Sequence, residues 1–292
     1  MSCGRHLMEK ETRKKEVLEN SEPFNPDVLA NALKSCLFGK NIIFRGTIGS
    51  TNVFLKKLAQ EGAPEGTVVV ADEQSAGLGR LGREWFSKKG QNLLFSVLLR
   101  PQLPAGKLFV LTMIFALAGI DAVKDISGLN TMIKWPNDIY IGGKKLGGIL
   151  TEVSVVQSVV QHVVLGMGLN VNWDPSMERT LLYPTSSIFA ESQEKVSREE
   201  ILVNLLKKLE VSYSEVGADM ERTEGFYEKW NEKSLILGKT VVIETGKERI
   251  EGEAAGIDRD GALTLITKDG DTRKFLCGDV SVKMNLPDQG NF

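Results

Sequence analysis

A glycine-rich loop with two arginines is the stretch of this sequence best suited to chemistry. It runs from Glu73 to Phe86 and is called the Gly-Arg loop below. Its glycines, Gly77 among them, can adopt positive φ and let the backbone approach a ligand. Arg80 and Arg83 bring permanent positive charge to the same turn. This composition suits a phosphate or a carboxylate, although a flexible, solvated surface loop would have the same composition.

A lysine with several polar neighbours forms a second candidate group. Lys134 lies in an otherwise apolar strand pattern and is followed by Trp135, Pro136, Asn137 and Asp138. A lysine in such a strand commonly extends to the rim of the sheet. Here a stacking surface, an amide and a carboxylate follow within a few residues, and this density of polar groups favours a binding site.

Glycines recur in two later strands, where they would allow a ligand or another backbone to come close. Lys145 opens one of these strands beside Gly148, and the next strand contains Gly166 and Gly168. Lys145 is therefore a further candidate cation for the same site.

Composition limits the class of protein. The chain has 292 residues, of which 42% are hydrophobic and 25% charged, and its formal net charge is -2. These values are typical of a soluble globular protein and give no global attraction to nucleic acid or to a membrane. The charged N-terminus has no apolar leader, so we expect a cytoplasmic protein. We expect no membrane-spanning segment, because the apolar run Leu108 to Ile120 is short and is better interpreted as a buried helix.

Cysteine and histidine are too scarce for several common kinds of site. Cys3, Cys36 and Cys277 are widely spaced and odd in number, which argues against a disulfide framework and a zinc site. The two histidines are His6, in the predicted tail, and His162, in a valine-rich strand where a buried structural role is favoured. Histidine-based catalytic triads and histidine-rich metal sites are therefore nearly excluded.

The elements that would position the site form an α/β pattern. Apolar strands at Thr67 to Ala71 and Asn92 to Leu99 enter and leave the Gly-Arg loop, which is predicted to have no structure of its own. We predict helices from their caps and periodicity at Asp27 to Leu33, after Ser50, at Ala105 to Lys124, after the capping box Ser197 to Glu200, and at Asp219 to Asn231. We predict further strands at Asn41 to Arg45, Met132 to Asp138, Asp138 to Ile141, Lys145 to Val155 and Val163 to Val171.

The C-terminal part of the chain changes character. Short strands at close spacing are predicted at Thr240 to Glu244, Glu248 to Gly256, Ala262 to Ile266 and Thr272 to Leu276, which suggests a small β-barrel. We therefore divide the chain into a charged tail at 1–22, an α/β domain at 23–235 and a small β domain at 236–292.

Six segments together resemble the biotin protein ligase family, of the biotin–[acetyl-CoA-carboxylase] ligase type. They are Ser50 to Asn52, Gln74 with Gly77 to Trp85, Lys134 to Asp138, Lys145 to Leu150, Gly166 to Asn170, and Gly256 to Asp258. The resemblance extends from about Asn25 to Lys283. It implies an α+β fold: a mixed-sheet, class II synthetase-like catalytic domain with a small C-terminal SH3-like β-barrel.

The resemblance also implies a two-step reaction and its participants. Biotin would be activated by ATP, with Mg²⁺, as biotinyl-5'-AMP. The acyl group would then pass to a lysine of a biotin carboxyl carrier protein domain, in acetyl-CoA carboxylase or a related carboxylase. Closing the Gly-Arg loop over the mixed anhydride would protect it from water.

Site roles follow from the resemblance, position by position. The residues implied in catalysis are Arg80, Arg83, Lys134 and Lys145. Those implied in biotin binding are Ser50, Thr51, Asn52, Gln74, Gly77, Arg80, Lys145, Gly148, Gly166 and Gly168. Those implied in ATP binding are Arg80, Arg83, Trp85, Lys134, Asn137 and Asn170. Asp138 is the candidate Mg²⁺ ligand, with a structural hydrogen bond at the strand end as the alternative.

Two departures from the family pattern affect these expectations. Leu78 and Leu81 stand where repressor-type members carry arginine, which removes two charges from the loop. The segment before Asn41 is shorter than a winged helix-turn-helix, so a monofunctional ligase without DNA binding is predicted, with homodimerisation through exposed sheet edges as a possibility. The alternatives are a lipoate or octanoate ligase or transferase of the same fold and, less favoured, a biotin-responsive repressor.

Overall fold

A seven-stranded sheet forms the larger part of the fold, seen in a computed structural model that describes residues 23–178, 181, 183–218, 223–246, 248–276 and 278–282. Its strands are β1 Ile42–Arg45, β2 Val68–Ala71, β3 Asn92–Leu99, β4 Met132–Lys134, β5 Asp138–Ile141, β6 Lys144–Val156 and β7 Val159–Asn170. They lie in the order β1-β2-β3-β7-β6-β5-β4. Only the pairing of β1 with β2 is parallel, so the sheet is mixed.

Helices cover both faces of this sheet. They are α1 Pro26–Ala32, α2 Thr51–Gln60, α3 Phe109–Ser127, α4 Ile188–Ser192, α5 Arg198–Ala218 and α6 Glu224–Glu232. On one face, Leu55 and Ala59 of α2 pack on Val69, Leu98 and Val164. On the other face, α3 lies in the main hydrophobic core. The predicted cap of α5 is confirmed, since the hydroxyl of its preceding serine accepts a hydrogen bond from the Glu200 backbone N–H at 3.1 Å.

Helix α3 is the apolar helix that the sequence predicts beneath a sheet. It starts at Phe109 rather than near Ala105, because a 3-10 turn at Ala105–Lys107 comes first. By length and composition this helix could cross a membrane, with a mean hydropathy of 1.8, but 78% of its most apolar window is buried inside the protein. It is therefore a core helix of this fold.

Two further element boundaries differ from the sequence-based expectation. The strand predicted over Met132 to Asp138 ends at Lys134, and a cis Trp135-Pro136 peptide leads into β5. Pro136 has no backbone N–H to continue the ladder, and the chain turns so that Lys134 pairs with Asp138. The helix predicted from Asp219 is observed as α6, and the stretch 219–222 lies outside the described residues.

A second, five-stranded antiparallel sheet follows. Its strands are β8 Thr240–Thr245, β9 Glu248–Ile257, β10 Leu263–Thr267, β11 Thr272–Phe275 and β12 Asp279–Val282, in the order β11-β10-β9-β8-β12. The first four are the predicted ones. The sequence-based prediction missed β12, because four residues with one clear alternation give almost no periodic signal.

Specific contacts join the second sheet to the first. The indole N–H of Trp135 donates to the Gly261 carbonyl at 2.9 Å, and the Phe109 ring packs directly on Gly261. The Tyr227 hydroxyl donates to the Arg259 carbonyl at 2.7 Å. The turn after Lys134 is thus held by the C-terminal sheet.

Candidate active site

Glycines form the floor of the site on the face of the sheet that carries α2. Gly166 and Gly168 point to this face, because Met167 between them contacts Gly119 of α3 on the opposite face. In the register, Gly166 lies opposite Ser96, and Gly168 lies between Leu94 and Gly148. A methyl group on Gly166 would collide with the Asn52 amide. The sequence predicted a close approach at these glycines, and the structure shows it.

A buried polar cluster lies at one end of this floor. It consists of Thr51, Asn52, Gln74 and Ser96 and is called the head cluster below. The backbone N–H of Thr51 donates to Gln74 Oε1 at 2.7 Å, and Thr51 Oγ1 lies 3.0 Å from the same oxygen. The Asn52 amide donates to the Leu150 carbonyl and to Glu152 Oε2, each at 3.1 Å.

Ser50 stands at the N-cap position of α2, but its hydroxyl does not cap the helix. Gln74 reaches across from the Gly-Arg loop and accepts from the N–H of Thr51 at the first helical position. The predicted side-chain cap at Ser50 is therefore wrong, since a glutamine from the loop satisfies a terminal donor of the helix instead. Ser50 itself is 6% exposed and directly precedes Thr51 of the head cluster.

The Gly-Arg loop is more ordered than the sequence suggests. Leu78 and Glu84 form an isolated antiparallel bridge, and the Trp85 N–H donates to the Gly77 carbonyl at 2.9 Å. A 3-10 turn lies between them, with Leu81 at φ 58. The prediction of a loop without structure of its own is therefore wrong, because backbone hydrogen bonds close it into a small hairpin.

Four cations converge at the other end of the floor, and Arg80, Arg83, Lys134 and Lys145 are called the cationic cluster below. Arg80 donates to Asn137 Oδ1 at 3.1 Å, which ties the loop to the turn after β4. Lys145 Nζ lies 2.8 Å from Asp138 Oδ1. Arg83 pairs with Asp279, a residue of β12 in the C-terminal sheet.

Lys134 does not simply extend to solvent. Its Nζ lies 5.1 Å from the centre of the Tyr140 ring and 3.4 Å from the Tyr140 hydroxyl. Burial lowers the pKa of Lys134, while the nearby Asp138 carboxylate opposes this effect. Burial likewise raises the pKa of Tyr140 to about 12, and the charge of Asp138 adds to the increase. The hydrogen bond that the Arg83 guanidinium donates to the Asp279 carboxylate raises the pKa of Arg83, although partial burial of the guanidinium opposes this effect.

Trp85 forms a wall above the glycine floor. Its indole ring packs directly on Gly168, and the ideal Cβ of Gly148 would lie 3.2 Å from the ring. Lys145 Nζ lies 5.5 Å from the centre of that ring. The indole N–H is buried and has no hydrogen-bond partner in the described part of the chain. A flat wall beside a lysine suits a planar ligand group.

Two amides implied in nucleotide binding differ in their availability. Asn137 is half-buried and donates to the Ile149 carbonyl at 2.5 Å while accepting from Arg80. Asn170 is 2% exposed, and its amide donates to the Ser186 carbonyl at 3.0 Å. In this structure Asn170 holds the segment around Ser186 in place, whereas Asn137 faces the cationic cluster.

The carboxylates suit a metal ion only in combination with phosphate. Within the described residues, no group of three or more His, Cys, Asp or Glu side chains is placed to hold a metal. Asp138 offers the hard oxygen donors that Mg²⁺ prefers, and one of them already accepts from Lys145. This donor set fits an ion that brings phosphate oxygens with it rather than a cage made of protein ligands alone.

Sequence reasoning missed three side chains near the site. Ser96 is fully buried in β3 as part of the head cluster, and a lone hydroxyl in an apolar strand was the signal. Tyr140 lies diagonally across from Lys134, which the β4–β5 hairpin would have revealed. No local signal links Asp279 to Arg83, because almost two hundred residues separate them.

Comparisons with known proteins agree with this geometry. Residues 46–170 match the model of the biotin/lipoate A/B protein ligase family, and residues 236–283 match the biotin protein ligase C-terminal domain. A biotin–[acetyl-CoA-carboxylase] ligase from Paracoccus denitrificans is 35% identical over 223 residues, which cover 74% of this chain and 90% of the relative. The chain belongs to the biotin protein ligase family.

Other relatives of this ligase include a bifunctional protein and solved structures. The bifunctional ligase/repressor BirA of Bacillus subtilis is 35% identical over 254 residues, covering 86% of this chain and 76% of that protein. The biotin protein ligase of Aquifex aeolicus in complex with biotin and ATP has a TM-score of 0.69 and 28% identity, covering 84% of this chain and 99% of that one. The predicted fold class and enzyme class of the ligase are confirmed.

Proposed function

We propose that this ligase activates biotin with ATP as biotinyl-5'-AMP and transfers the biotinyl group to a lysine of a carrier protein. One observation carries the proposal: a neutral hydrogen-bonding cluster and a cluster of four cations lie at opposite ends of one glycine floor. Biotin has this polarity, with a neutral urea head and a carboxylate tail. The structure of the Aquifex relative in complex with biotin and ATP supports the same pair of substrates.

The first step joins two anions, so its main need is positive charge in fixed positions. A carboxylate oxygen of biotin attacks the α-phosphorus of ATP, a C–O–P linkage forms, and the bond to pyrophosphate breaks. The four cations of the cationic cluster face two carboxylates, Asp138 and Asp279, which leaves an excess of two positive charges. That excess stabilises the approach of carboxylate and phosphate and the charge that develops between them.

The second step needs an amine from outside. The carrier lysine attacks the acyl carbon, the bond from that carbon to the phosphate oxygen breaks, AMP leaves, and the amine loses a proton. We infer no side-chain nucleophile, because the mixed anhydride is already activated. The proposed partner is the biotin carboxyl carrier domain of acetyl-CoA carboxylase or a related carboxylase, and the names of two relatives, both biotin–[acetyl-CoA-carboxylase] ligases, support the choice of acetyl-CoA carboxylase.

The Gly-Arg loop protects the anhydride between the two steps. Arg80 ties the loop to Asn137 and Trp85 lies on the floor, so the loop covers the place where the adenylate forms. Excluding water there prevents hydrolysis before the carrier arrives. Bound Mg²⁺ would neutralise phosphate charge, and Asp138 is the residue that would help to hold it.

A lipoate or octanoate ligase is the second candidate, because the matching family model includes lipoate ligases. The head cluster favours biotin, since its amides and hydroxyls match a urea better than a dithiolane ring or an alkyl chain. We also propose that the enzyme is cytoplasmic and does not bind DNA. Homodimerisation is a secondary proposal.

Exchange of labelled pyrophosphate into ATP tests the proposal directly. Purified protein is incubated with ATP and Mg²⁺ and with biotin, lipoate or octanoate in parallel. We expect exchange with biotin alone, because adenylation is reversible while pyrophosphate is present. If folded protein supports pyrophosphate exchange with lipoate or octanoate but not with biotin, the protein is a lipoate or octanoate ligase instead.

A further inference from the structure

Asp279 reaches the cationic cluster from the second sheet. It begins β12, the edge strand of that sheet, and the next residue, Val280, is buried in the main hydrophobic core. The Arg83 guanidinium donates to the Asp279 carboxylate through Nη2. Because Arg83 belongs to the Gly-Arg loop, this pair joins the loop to a different sheet from the one that forms the floor.

Arg80 and Arg83 anchor the loop on two sides. Arg80 donates to Asn137 Oδ1 at 3.1 Å, in the turn after β4 of the first sheet. The backbone N–H of Arg83 donates to the Arg80 carbonyl at 3.2 Å, so the two arginines lie on one compact turn. That turn is therefore attached to the first sheet through Arg80 and to the second sheet through Arg83.

The pair of Arg83 with Asp279 is suited to repeated opening and closing. Its side chains are 45% and 40% exposed, and ion pairs with this exposure are weak. The contact uses one terminal nitrogen, while a guanidinium carries several N–H donors. Phosphate oxygens can therefore bind the same guanidinium beside the carboxylate or in its place.

The counter-ion available to Arg83 changes during the proposed reaction. While ATP is bound, its triphosphate gives the arginines of the loop an anionic partner. When pyrophosphate leaves, most of this negative charge leaves with it, and biotinyl-5'-AMP keeps a single charged phosphate. Asp279 is then the carboxylate that pairs with Arg83.

We propose that Asp279 is a positioning residue, which holds Arg83 and the closed Gly-Arg loop over biotinyl-5'-AMP after pyrophosphate has left. This inference rests on the proposed function, because only an enzyme that forms the adenylate has to retain it. No covalent bond changes in this step, since Arg83 exchanges phosphate oxygens for the Asp279 carboxylate. The second sheet thereby serves retention of the intermediate, whereas formation of the intermediate depends on the cations themselves.

Two rates measured on the same variants, Asp279→Ala and Asp279→Asn, test the proposal. The first is biotin-dependent exchange of pyrophosphate into ATP, which reports on formation of the adenylate. The second is release of labelled biotinyl-5'-AMP, formed on the protein with ATP, Mg²⁺, labelled biotin and pyrophosphatase and then chased with excess unlabelled biotin. Exchange also serves as the folding control, because an unfolded variant would lose it.

Asp260→Ala is the matched control. Asp260 lies in the turn between β9 and β10 of the second sheet, and its carboxylate is 2.5 Å from Nζ of Lys107, which precedes α3. This variant also removes an exposed ion pair between the two parts of the fold, but outside the Gly-Arg loop.

We expect Asp279→Ala to release the adenylate about fivefold faster than wild type, the upper range for an exposed pair, while exchange stays within about twofold. Exchange is spared because the triphosphate still binds Arg83. Asp279→Asn should also release the adenylate faster than wild type, since a neutral amide oxygen is a weaker acceptor than a carboxylate. Asp260→Ala should leave both rates within about twofold.

Three results would overturn the proposal. They are a wild-type release rate in Asp279→Ala, equal acceleration of release in Asp260→Ala, and exchange that falls in both Asp279 variants as much as release rises. The last result would mean that Asp279 acts on the first step or on the fold. Wild-type protein that forms no biotinyl-5'-AMP would instead refute the proposed function.

Discussion

At the scale of single residues, the site pairs three of its four cations with a group that substrate can replace. Lys145 lies beside Asp138, Arg83 beside Asp279, and Arg80 beside Asn137. These pairs are half-exposed, so their net contribution to stability is small. Their value is positional, because they hold the cations in fixed places before the anions arrive.

Lys145→Met should lower the rate of biotin-dependent pyrophosphate exchange by about 100-fold to 1,000-fold, the usual effect of removing one preorganised electrostatic group. The matched control is Lys144→Met. Lys144 is the adjacent lysine, but it pairs with Glu191 at 3.1 Å, away from the cationic cluster. Similar exchange rates in the two variants would show that Lys145 does not act on the reacting groups.

His162 gives the protein a defined pH dependence. Burial lowers the pKa of His162, and the nearby positive charges of Arg100 and Lys56 add to the shift. The unfolded chain therefore binds a proton below about pH 6.5 where the folded chain does not. The free energy of unfolding should fall as pH drops below that value.

Urea unfolding of wild type and His162→Gln at about pH 7.5 and about pH 5.5 measures the contribution of His162 to the pH dependence of the free energy of unfolding. Carboxylates titrate in both proteins, so only the difference between the two profiles reports on the histidine. We expect the variant to lose less stability on acidification than wild type. Equal losses would mean that His162 titrates alike in the folded and unfolded chains.

At the scale of elements, two glycine strands and one loop make the pocket. The strand β7 has no side chain at Gly166, and the Asn52 amide of α2 occupies the free space. The loop then adds Gln74 and Trp85 from above. Helix, strand and loop therefore meet at positions where even a methyl group is too large.

Gly166→Ala should displace the Asn52 amide and weaken biotin binding about tenfold or more, because Asn52 would lose its contacts with Ser96 and the Leu150 carbonyl and the head cluster would be disturbed. Gly256→Ala is the matched control, since Gly256 also lies in a strand and has no atom within 4 Å of the added methyl. Calorimetric titration of both variants with biotin measures the effect. Unchanged affinity in Gly166→Ala would show that Asn52 is free to move.

Arg80→Gly should open the Gly-Arg loop, because it removes the 3.1 Å bond to Asn137. The adenylate would then leave before transfer, and lysines of a bystander protein would be biotinylated. The measurement is the labelling of serum albumin present in excess. Arg259→Gly is the control, because Arg259 is an exposed arginine that pairs with Glu224 and does not belong to the Gly-Arg loop. Labelling confined to a carrier domain would contradict a retaining role for the loop.

Sequence patterns predicted the parts of this pocket that are local, and the rest depended on tertiary contacts. The strand Asn92 to Leu99 and the glycines of β7 follow from apolar runs and spacing, and both were predicted. The bond between Gln74 and Thr51 and the pair of Arg83 with Asp279 join distant segments. No single-sequence periodicity contains such pairings, and the structure was needed to find them.

At the scale of the whole molecule, a buried ion pair fixes the start of the Gly-Arg loop to the helical layer. Arg198 of α5 lies 2.8 Å from Asp72, and their side chains are 4% and 12% exposed. Asp72 directly precedes the loop. The same guanidinium lies 5.5 Å from the Phe24 ring near the start of the described chain.

Asp72→Asn should lower the free energy of unfolding by about 3 kcal/mol or more, since it removes a carboxylate that is paired with a buried guanidinium. Glu224→Gln is the control, because the Arg259–Glu224 pair is exposed and should contribute less than about 1 kcal/mol. Urea unfolding of the two variants gives both values. Losses of similar size would show that burial does not distinguish the pairs.

Trp85 offers an optical view of the catalytic cycle. The chain has four tryptophans, and Trp135, Trp173 and Trp230 are fully buried, whereas Trp85 is half-buried on the glycine floor. Ligand that enters beside the floor changes the surroundings of this indole directly, and Trp173, whose ring lies 5.7 Å from the Phe86 ring at the end of the loop, adds a second signal when the loop moves. Intrinsic fluorescence in a stopped-flow instrument therefore follows loop closure in unlabelled protein, in real time.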